Sequence, residues 1–351
     1  MSGLPALALV AIFAGSAAAI WFAGVRLARA TDALDQRLGI GEAFGGLILL
    51  AIVTNLPEIA ITVTAALQGH LGLAVGNLVG GIAIQTVVLA LLDLGSGHRR
   101  PLTFVAASLG LVLEAVTVIA VVVVAFMGTR LPASASVGGV SPASVVIALL
   151  WVGGLLVMRR AQHGLPWKVE TPEGERGRSR PAKRKGAEPR PMAHSATALV
   201  AGLFGLCALI TLVAGVAIEQ SGDALAGKIG LSGPIFGATI LAAATSLPEL
   251  STGLASVRIG DNELAFSDIF GGNAFLPVLF LVADILSGNP ALAAAAPSDQ
   301  WMAGLGVVVT AVYVGGLVVR PSRSILGMGA DSVLVIALYA LGVGGLVLIG
   351  G

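Results

Sequence analysis

Thr54-Asn55-Leu56-Pro57-Glu58 occurs a second time, 191 residues later, as Thr245-Ser246-Leu247-Pro248-Glu249. The match continues without a gap over residues 46–93 and 237–284, where 15 of 48 aligned positions are identical. A chance match would not stay in register over that length. The chain is therefore a duplication that carries one Pro-Glu pair in each half.

The composition indicates that most of the chain lies in a membrane. Of its 351 residues, 56% are hydrophobic and only 11% are charged, whereas soluble domains have about 25% charged residues. The 48 glycines suit closely packed membrane helices. The single cysteine, Cys207, excludes an intramolecular disulfide and gives no zinc or iron–sulfur pattern.

Apolar runs of roughly 20 residues predict an all-α membrane protein with ten transmembrane helices, five in each half. The first run, which lacks a basic segment before it, is expected to be a retained span and not a cleaved signal peptide. The predicted spans are residues 4–25, 43–67, 71–93, 102–127, 143–158, 196–218, 232–257, 264–286, 302–319 and 331–350. The predicted domains are a first half (residues 1–158), a basic linker (159–194) and a second half (195–351).

Lysine and arginine counts predict the orientation. Of 20 such residues, all but Arg130 and Lys228 fall in the odd-numbered loops, which the positive-inside rule places in the cytoplasm. Both termini are then outside, and the two five-span halves enter the membrane in opposite senses, as inverted repeats. The basic linker is expected to be a mostly disordered, solvated loop, the alternative being a lipid-headgroup or regulatory contact.

The repeated motif places a carboxylate beside a helix break. A proline inside a helix removes a backbone donor and frees carbonyl groups at and near Thr54 and Thr245. Irregular backbone at membrane depth is tolerated only where it lines a cavity or packs on protein. Glu58 or Glu249 following the break supplies oxygens beside the freed carbonyls, the mixture that hard cations prefer. One such glutamate could merely cap a kinked helix, but two at symmetric positions favour a functional site.

Asn77 and Asp268 each follow their glutamate by 19 residues, on the next predicted helix. A short turn near residues 68–71, or 259–262, brings them to a similar depth. Three carboxylates and one amide would then share a dry site, where the charges repel unless a cation or protons neutralise them.

These residues resemble the sodium/calcium exchangers of the cation/calcium antiporter superfamily. The resemblance rests on the repeated Thr-X-Leu-Pro-Glu motif and on a second helix of the pattern Gly-Asn/Asp-X-X-Gly-Ser-Asn. It implies ten helices in two inverted repeats, with alternating access to a central site at the bilayer midplane. It also implies calcium ligands at four side chains, further carbonyl ligands at two threonines, and sodium-site oxygens around the same glutamates. By position, the calcium ligands are Glu58, Asn77, Glu249 and Asp268, the carbonyls are those of Thr54 and Thr245, and the retained sodium-site groups are Ser246 and Asn273.

The sequence departs from the family pattern where sodium should bind. Asn55 replaces the motif serine in the first half, and glycine replaces the second serine in both halves at Gly81 and Gly272. Ile82 replaces an asparagine, and Gln85 and Leu276 replace another in each half. These losses weaken the case for sodium more than the case for a divalent cation.

Several residues stay open to two interpretations. Glu114, inside the fourth span, either relays protons or pairs with a polar neighbour. The glycine pairs at 80–81 and 271–272 allow either close helix packing or access of backbone carbonyls to an ion. Asp93 and Asp284 are expected at helix ends near headgroup level, exposed to solvent.

The sequence therefore predicts a secondary active antiporter of the inner or plasma membrane that exchanges Ca²⁺ for Na⁺. Its partners are the transported cations and the lipid bilayer, with no nucleic acid and no cofactor. The alternatives are a cation/proton antiporter (Ca²⁺/H⁺ or Na⁺/H⁺), a channel or a transport-inactive sensor, and an intramembrane enzyme. The enzyme is disfavoured because the four histidines all lie in or near loops.

Overall fold

The computed structural model describes residues 1, 3–38, 52–97, 100–162, 197–230, 236–258 and 260–349. Helices account for nearly all of this part of the chain. The α-helices are α1 (Ala6–Leu38), α2 (Leu56–Gln68), α3 (Leu71–Gly95), α4 (Leu102–Ala106), α5 (Leu109–Gly128), α6 (Pro142–Gln162), α7 (Thr197–Ile229), α8 (Gly237–Thr245, π-helical over Gly237–Leu241), α9 (Leu247–Arg258), α10 (Asn262–Phe275), α11 (Leu279–Ser287), α12 (Pro297–Val319) and α13 (Ala330–Ile349). Short 3₁₀ turns cover Ala133–Ala135, Leu276–Val278 and Ala291–Ala294, and a two-stranded hairpin pairs β1 (Ser324–Ile325) with β2 (Met328–Gly329).

Within the described residues, seven helices are long and apolar enough to cross a membrane, and the bent pair α8–α9 makes an eighth span if it is counted as one. Two further predicted spans coincide with shorter apolar helices, Leu56–Gln68 and Ala330–Leu346. Large apolar side chains such as Leu149 and Leu341 are exposed on the outer surface, as lipid contact requires. The chain is thus an all-helical integral membrane protein. Residues 43–51 of the second predicted span and 163–194 of the predicted linker lie outside the described residues.

α3 is the central helix of the fold. The apolar stretch of α3 that could cross a membrane is 83% buried. The corresponding stretch of α6 is only 17% buried, so α6 lies at the periphery. α8, α9, α12 and α13 of the second half all pack against α3, while α1 runs along α7 in a long separate contact. The two halves therefore meet along α3, next to the helices that carry the repeated motif.

Glycine lets α3 and α8 approach closely at Gly80. A Cβ atom added there would overlap the backbone carbonyl of Ala238. The reciprocal glycine, Gly237, lies over α3 as well, where an added Cβ would stand 2.9 Å from the Leu73 carbonyl oxygen. Of the two expected roles for the first glycine pair, close helix packing is therefore realised at Gly80.

The prediction that Asp93 and Asp284 are solvated is wrong, since both are almost fully buried. Asp93 accepts hydrogen bonds from the backbone N–H groups of Leu102 and Gly329 and from the Ser332 hydroxyl, all at 2.7 Å. Buried backbone donors need acceptors, and here a helix-end carboxylate supplies them. Asp93 joins the end of α3 to the start of α4 and to the hairpin that precedes α13.

Asp284 does the same in the second half. Its carboxylate accepts from the backbone N–H of Ala291 at 2.6 Å and of Ser141 at 2.9 Å. Ser141 follows a small turn closed by Val137 and Val140, just before α6, as the β1–β2 hairpin precedes α13. Each aspartate thus links its own half to the last helix of the other half.

Candidate functional site

Two helix breaks position the motif glutamates. In the first half, residues 52–54 are helical, Asn55 departs from helical geometry, and α2 restarts with Pro57 in its first turn. In the second half, α8 and α9 meet at Ser246 with a bend of 45°. This confirms the predicted break in the second half. Glu58 and Glu249 consequently lie in the first turns of α2 and α9, where the helix dipole favours a negative charge.

The carboxylates of Glu58 and Glu249 are fully buried. None of their four oxygens has a partner within the described part of the chain. Glu249 also lies close enough to Glu58 and Asp268 to be repelled by both. Buried carboxylates are normally hydrogen-bonded or paired, because desolvating an isolated charge is costly. The three carboxylates form what we call the central carboxylate cluster: Glu58, Glu249 and Asp268.

Asp268 is held by hydroxyl groups from both halves. Thr252 on α9 donates to one oxygen at 2.6 Å, and Thr54, just before the first break, donates to the other at 3.4 Å. The contact between Thr54 and Asp268 places residues of the two halves in one site. Thr252 was absent from the predicted set. Its signal is its spacing of three residues from Glu249, which puts both side chains on one helix face.

Two other predicted residues, Asn77 and Thr245, are also fully buried. Both amide atoms of Asn77 lack hydrogen-bond partners among the described residues, and the Asn77 backbone lies beneath Gly237 of α8. Thr245 is a polar neighbour of the Glu58 carboxyl, although its hydroxyl donates to the Ala242 carbonyl at 3.2 Å. An unpartnered buried amide oxygen is a group that a cation could use.

Ser246 and Asn273 direct their hydrogen bonds to the backbone and to neighbouring helices. Ser246 donates to the Ala242 carbonyl at 2.8 Å. The Asn273 amide donates to the Ile82 carbonyl at 3.3 Å and to the Thr86 hydroxyl at 3.1 Å, while its own side-chain oxygen is buried without a partner. Asn273 and Ile82 are equivalent positions of the duplication. Helices α3 and α10 are therefore in contact at equivalent positions of the two halves.

The first half has an amide pair where sodium ligands were expected. The Gln85 amide approaches the Asn55 side-chain oxygen at 3.5 Å, and both residues are fully buried. Gly272 of the second half makes room for them, since an added Cβ would lie 2.7 Å from the Asn55 amide nitrogen. In this contact the Asn55 side-chain oxygen accepts, whereas the Gln85 side-chain oxygen has no partner among the described residues. The site is therefore chemically asymmetric despite the duplicated backbone.

Glu114 has the polar neighbour that was one of its two expected interpretations. It is buried on α5, and both its oxygens lie 2.7 Å from the Ser267 hydroxyl on α10. Ser267 directly precedes Asp268 in the chain. Glu114 therefore contacts α10, the helix that carries Asp268, but it is not part of the central carboxylate cluster.

The donor set is all oxygen and suits a hard cation. Carboxylates, amide oxygens and hydroxyls are the ligands of Ca²⁺, Mg²⁺ and Na⁺, whereas softer metals require imidazole or thiolate. Among the residues that the structure describes, no three acidic, histidine or cysteine side chains form a compact metal cluster.

Sequence comparison identifies the family. The sequence model described as sodium/calcium exchanger protein matches residues 8–159 and 198–347, one segment in each half. The inner membrane protein YrbG of Escherichia coli (strain K12) is 30% identical over 270 residues, which cover 76% of this chain and 74% of YrbG.

Two solved structures have the same fold. The crystal structure of the H⁺/Ca²⁺ exchanger CAX aligns with a TM-score of 0.68 at 14% identity, covering 99% of this chain and 87% of that one. The sodium-calcium exchanger NCX_Mj aligns with a TM-score of 0.61 at 17% identity, covering 97% and 99%.

Proposed function

Because the chain belongs to the sodium/calcium exchanger family, we propose that it is a secondary active antiporter that exchanges Ca²⁺ for Na⁺ through the central carboxylate cluster. The observation that carries the proposal is the pair of fully buried glutamates, Glu58 and Glu249, whose oxygens have no hydrogen-bond partner among the described residues. Buried carboxylates in such a state call for a cation or for protons. Alternate occupation by one ion species or another is the chemical basis of exchange.

Calcium fits the cluster in charge and in ligand type. One Ca²⁺ neutralises two of the three carboxylates, and six to eight oxygens are its usual complement. We assign as ligands Glu58, Glu249, Asp268 and the side-chain oxygen of Asn77. The carbonyls of Thr54 and Thr245, at the two helix breaks, complete the shell.

Sodium as the counter-ion draws on the second half. The buried side-chain oxygen of Asn273 and the lone pairs of the Ser246 hydroxyl are the remaining neutral oxygens there. Protons are the second candidate, favoured by a specific observation: in the first half, Asn55 and Gln85 contact each other. Because that contact occupies the Asn55 side-chain oxygen, one potential sodium ligand is lost in the first half, and protonation of the carboxylates is the other way to neutralise the site.

We further propose ten spans in two inverted halves. The polar links at the helix ends support inversion, because the loop that follows α3 meets the loop before α13 through Asp93, not the loop that follows α11. Arg100 and Arg320, from these two loops, also both stack on the Phe104 ring, at 4.5 and 4.7 Å from its centroid. This shared face carries the lysine and arginine excess, so we place it in the cytoplasm and both termini outside. An inverted pair of halves could then open alternately to each side of the membrane.

The deciding experiment is Ca²⁺ uptake into proteoliposomes, driven either by an outward Na⁺ gradient or by a pH gradient alone. Wild type and Glu249→Gln are compared, because glutamine keeps the shape of the side chain and removes its charge. We expect Na⁺-driven uptake that Glu249→Gln abolishes. Uptake driven only by the pH gradient would replace Na⁺ with H⁺ as the counter-ion. No uptake under either gradient would refute Ca²⁺ as the cargo.

Two controls exclude the other classes. Saturable counter-flow, in which external Ca²⁺ accelerates release of internal labelled Ca²⁺, is expected of an antiporter and not of a channel. Exposed Glu263, on the same helix as Asp268, is the matched acidic control, and Glu263→Gln should retain uptake. The proposed exchange involves no cofactor besides the transported ions.

A further inference from the structure

Glu114 is a buried carboxyl group that the proposed cation site does not use. It lies on α5, whereas the central carboxylate cluster lies on α2, α9 and α10. Its contact is the Ser267 hydroxyl, which is itself buried. Ser267 and Asp268 are consecutive on α10, with Ser267 directed to α5 and Asp268 to the hydroxyls of Thr54 and Thr252.

The geometry of this contact accommodates a protonated carboxyl group. The Ser267 oxygen is 2.7 Å from both carboxyl oxygens of Glu114. A serine hydroxyl has one hydrogen, which an ionised Glu114 would have to share between its two oxygens. The second short contact is satisfied when the carboxyl group carries a proton and donates it to the lone pair of the Ser267 oxygen. The pair then exchanges two hydrogen bonds, with Glu114 neutral.

We propose that Glu114 is a proton-binding residue of the antiporter, coupled through Ser267 to the occupancy of the cation site beside Asp268. When a divalent cation binds, the added positive charge favours ionised Glu114, whose O–H bond breaks and whose proton passes to water. The Ser267 hydroxyl then donates to the carboxylate that remains. When the cation leaves, the proton returns. Because coupling is reciprocal, raising the pH should strengthen cation binding through Glu114.

A second serine–glutamate pair joins the starts of α5 and α10 near solvent. Glu263 lies one helical turn before Ser267 and is exposed, and its carboxylate accepts a hydrogen bond from Ser108 at 2.7 Å. Ser108 caps the start of α5. The α5–α10 contact thus carries two serine–glutamate pairs, of which one faces solvent and the other, containing Glu114, is buried further along the same helices.

The other groups around Glu114 do not supply a compensating positive charge. Glu263 on α10 lies close enough for its negative charge to disfavour ionised Glu114. On α12, the buried titratable group facing this region is Tyr313, whose hydroxyl is 3.4 Å from the Ser332 hydroxyl. On α6, the charged residues Arg159 and Arg160 lie exposed in its last turn. A divalent cation bound beside Asp268 would therefore add a positive charge that favours ionised Glu114.

This inference rests on the proposed function and is tested on the full-length protein in proteoliposomes. The KM for Ca²⁺ is measured between about pH 6 and pH 9 for wild type, Glu114→Gln and Glu263→Gln. In all three proteins, ionisation of the three central carboxylates makes the KM for Ca²⁺ fall with rising pH. Because Glu114→Gln stays neutral, its KM at the alkaline end should exceed that of wild type by about tenfold, whereas at the acidic end the two should agree. Glu263→Gln is expected to keep the pH-dependent part of the wild-type profile, moved to slightly lower pH because one negative charge near Glu114 is removed.

Ser267→Ala provides an independent variant if Glu114→Gln is poorly folded. It removes the donor to the ionised carboxylate, so the Glu114-dependent part of the profile should move to higher pH. A merely structural role of the pair would lower thermal stability and leave the shape of the KM–pH profile unchanged. Profiles of wild-type shape in both variants would overturn the proposal.

Infrared difference spectroscopy separates failure of this inference from failure of the proposed function. On addition of Ca²⁺, or on a pH rise, wild type should lose the band of one protonated carboxyl group that Glu114→Gln lacks from the start. This readout does not need transport. Loss of the band on a pH rise alone would retain Glu114 as a proton site even if Ca²⁺ were not the cargo, whereas a band that is the same in both proteins would refute it.

Discussion

The neighbouring glycines Gly80 and Gly81 should respond very differently to alanine. A methyl group at Gly80 would come within 3.0 Å of the backbone of Ala238, a separation that real Cβ atoms essentially never have. At Gly81 the nearest atom is a terminal methyl carbon of Leu276, at 3.5 Å, which is ordinary van der Waals contact. The obstacle at Gly80 is backbone in the π-helical turn of α8 and cannot rotate away.

The structure sets the magnitude of the difference. To restore a normal contact, α3 and α8 would have to separate by about 1 Å, and overpacking a well-packed core typically costs about 1–3 kcal/mol. We expect Gly80→Ala to be destabilised at the upper end of that range. Gly81→Ala should stay within about 0.5 kcal/mol of wild type, since alanine also suits a helix better than glycine does.

The functional consequence follows from the position of the crossing. Gly80 lies one helical turn beyond Asn77, and α8 leads into the break at Ser246, so a displaced α8 moves the second-half ligands away from those of the first half. We expect Gly80→Ala to lose most Ca²⁺ uptake and Gly81→Ala to keep it. Both variants are measured by thermal unfolding in detergent and by uptake in proteoliposomes, normalised to folded protein. Equal stability and uptake of the two variants would refute the close α3–α8 crossing.

Two further predictions concern polar contacts. Asp284→Ala leaves two buried backbone N–H groups without an acceptor, which costs about 1–3 kcal/mol each. The control Asp261→Ala removes an exposed helix cap worth about 1 kcal/mol. The unfolding temperature should therefore fall far more in Asp284→Ala than in Asp261→Ala. Similar losses in both variants would contradict the buried role of Asp284. Thr252→Val removes the 2.6 Å donor to Asp268 and should raise the KM for Ca²⁺ about tenfold, most strongly at low pH where the carboxylate then takes up a proton more readily, whereas Thr252→Ser should resemble wild type. An unchanged KM in Thr252→Val would exclude Thr252 from the site.

The duplication made much of this architecture predictable. Two copies of a motif around Pro57 and Pro248 fix the helix breaks, because proline disrupts a helix wherever it falls in the interior. The short turn between α2 and α3 was also anticipated, and it is closed by Gly69 in the left-handed conformation. These features depend on local sequence, which a single chain displays directly.

The misses arise from contacts between segments distant in the chain. Asp93 and Asp284 look like ordinary helix-end carboxylates, and nothing local reveals that Gly329 or Ser141 will fold back onto them. The partner of Glu114 lies 153 residues away. Hydrophobic periodicity determines which residues enter a membrane but not which polar groups meet inside it.

The differences between the halves are as informative as the identities. Positions identical in both halves include the glutamates, the preceding threonines, Gly80 with its equivalent, and the paired aspartates Asp93 and Asp284. In the structure these identities lie at the helix breaks, at the helix crossing and in the links between the halves. The positions that differ include two at the site: Asn77 of the first half aligns with Asp268 of the second, and Asn55 aligns with Ser246.

Neutral amides in the first half and a carboxylate with hydroxyls in the second give the cluster three acidic groups instead of four. A single Ca²⁺ leaves one negative charge uncompensated, which in a buried site demands a further cation or a proton. In the first half the Asn55 side-chain oxygen accepts from Gln85, whereas the side-chain oxygens of Gln85 and Asn77 have no partner among the described residues. In the proposed exchange, the odd charge links Ca²⁺ binding to the uptake and release of a further cation or a proton, and it makes the pH dependence of transport as diagnostic as its sodium dependence.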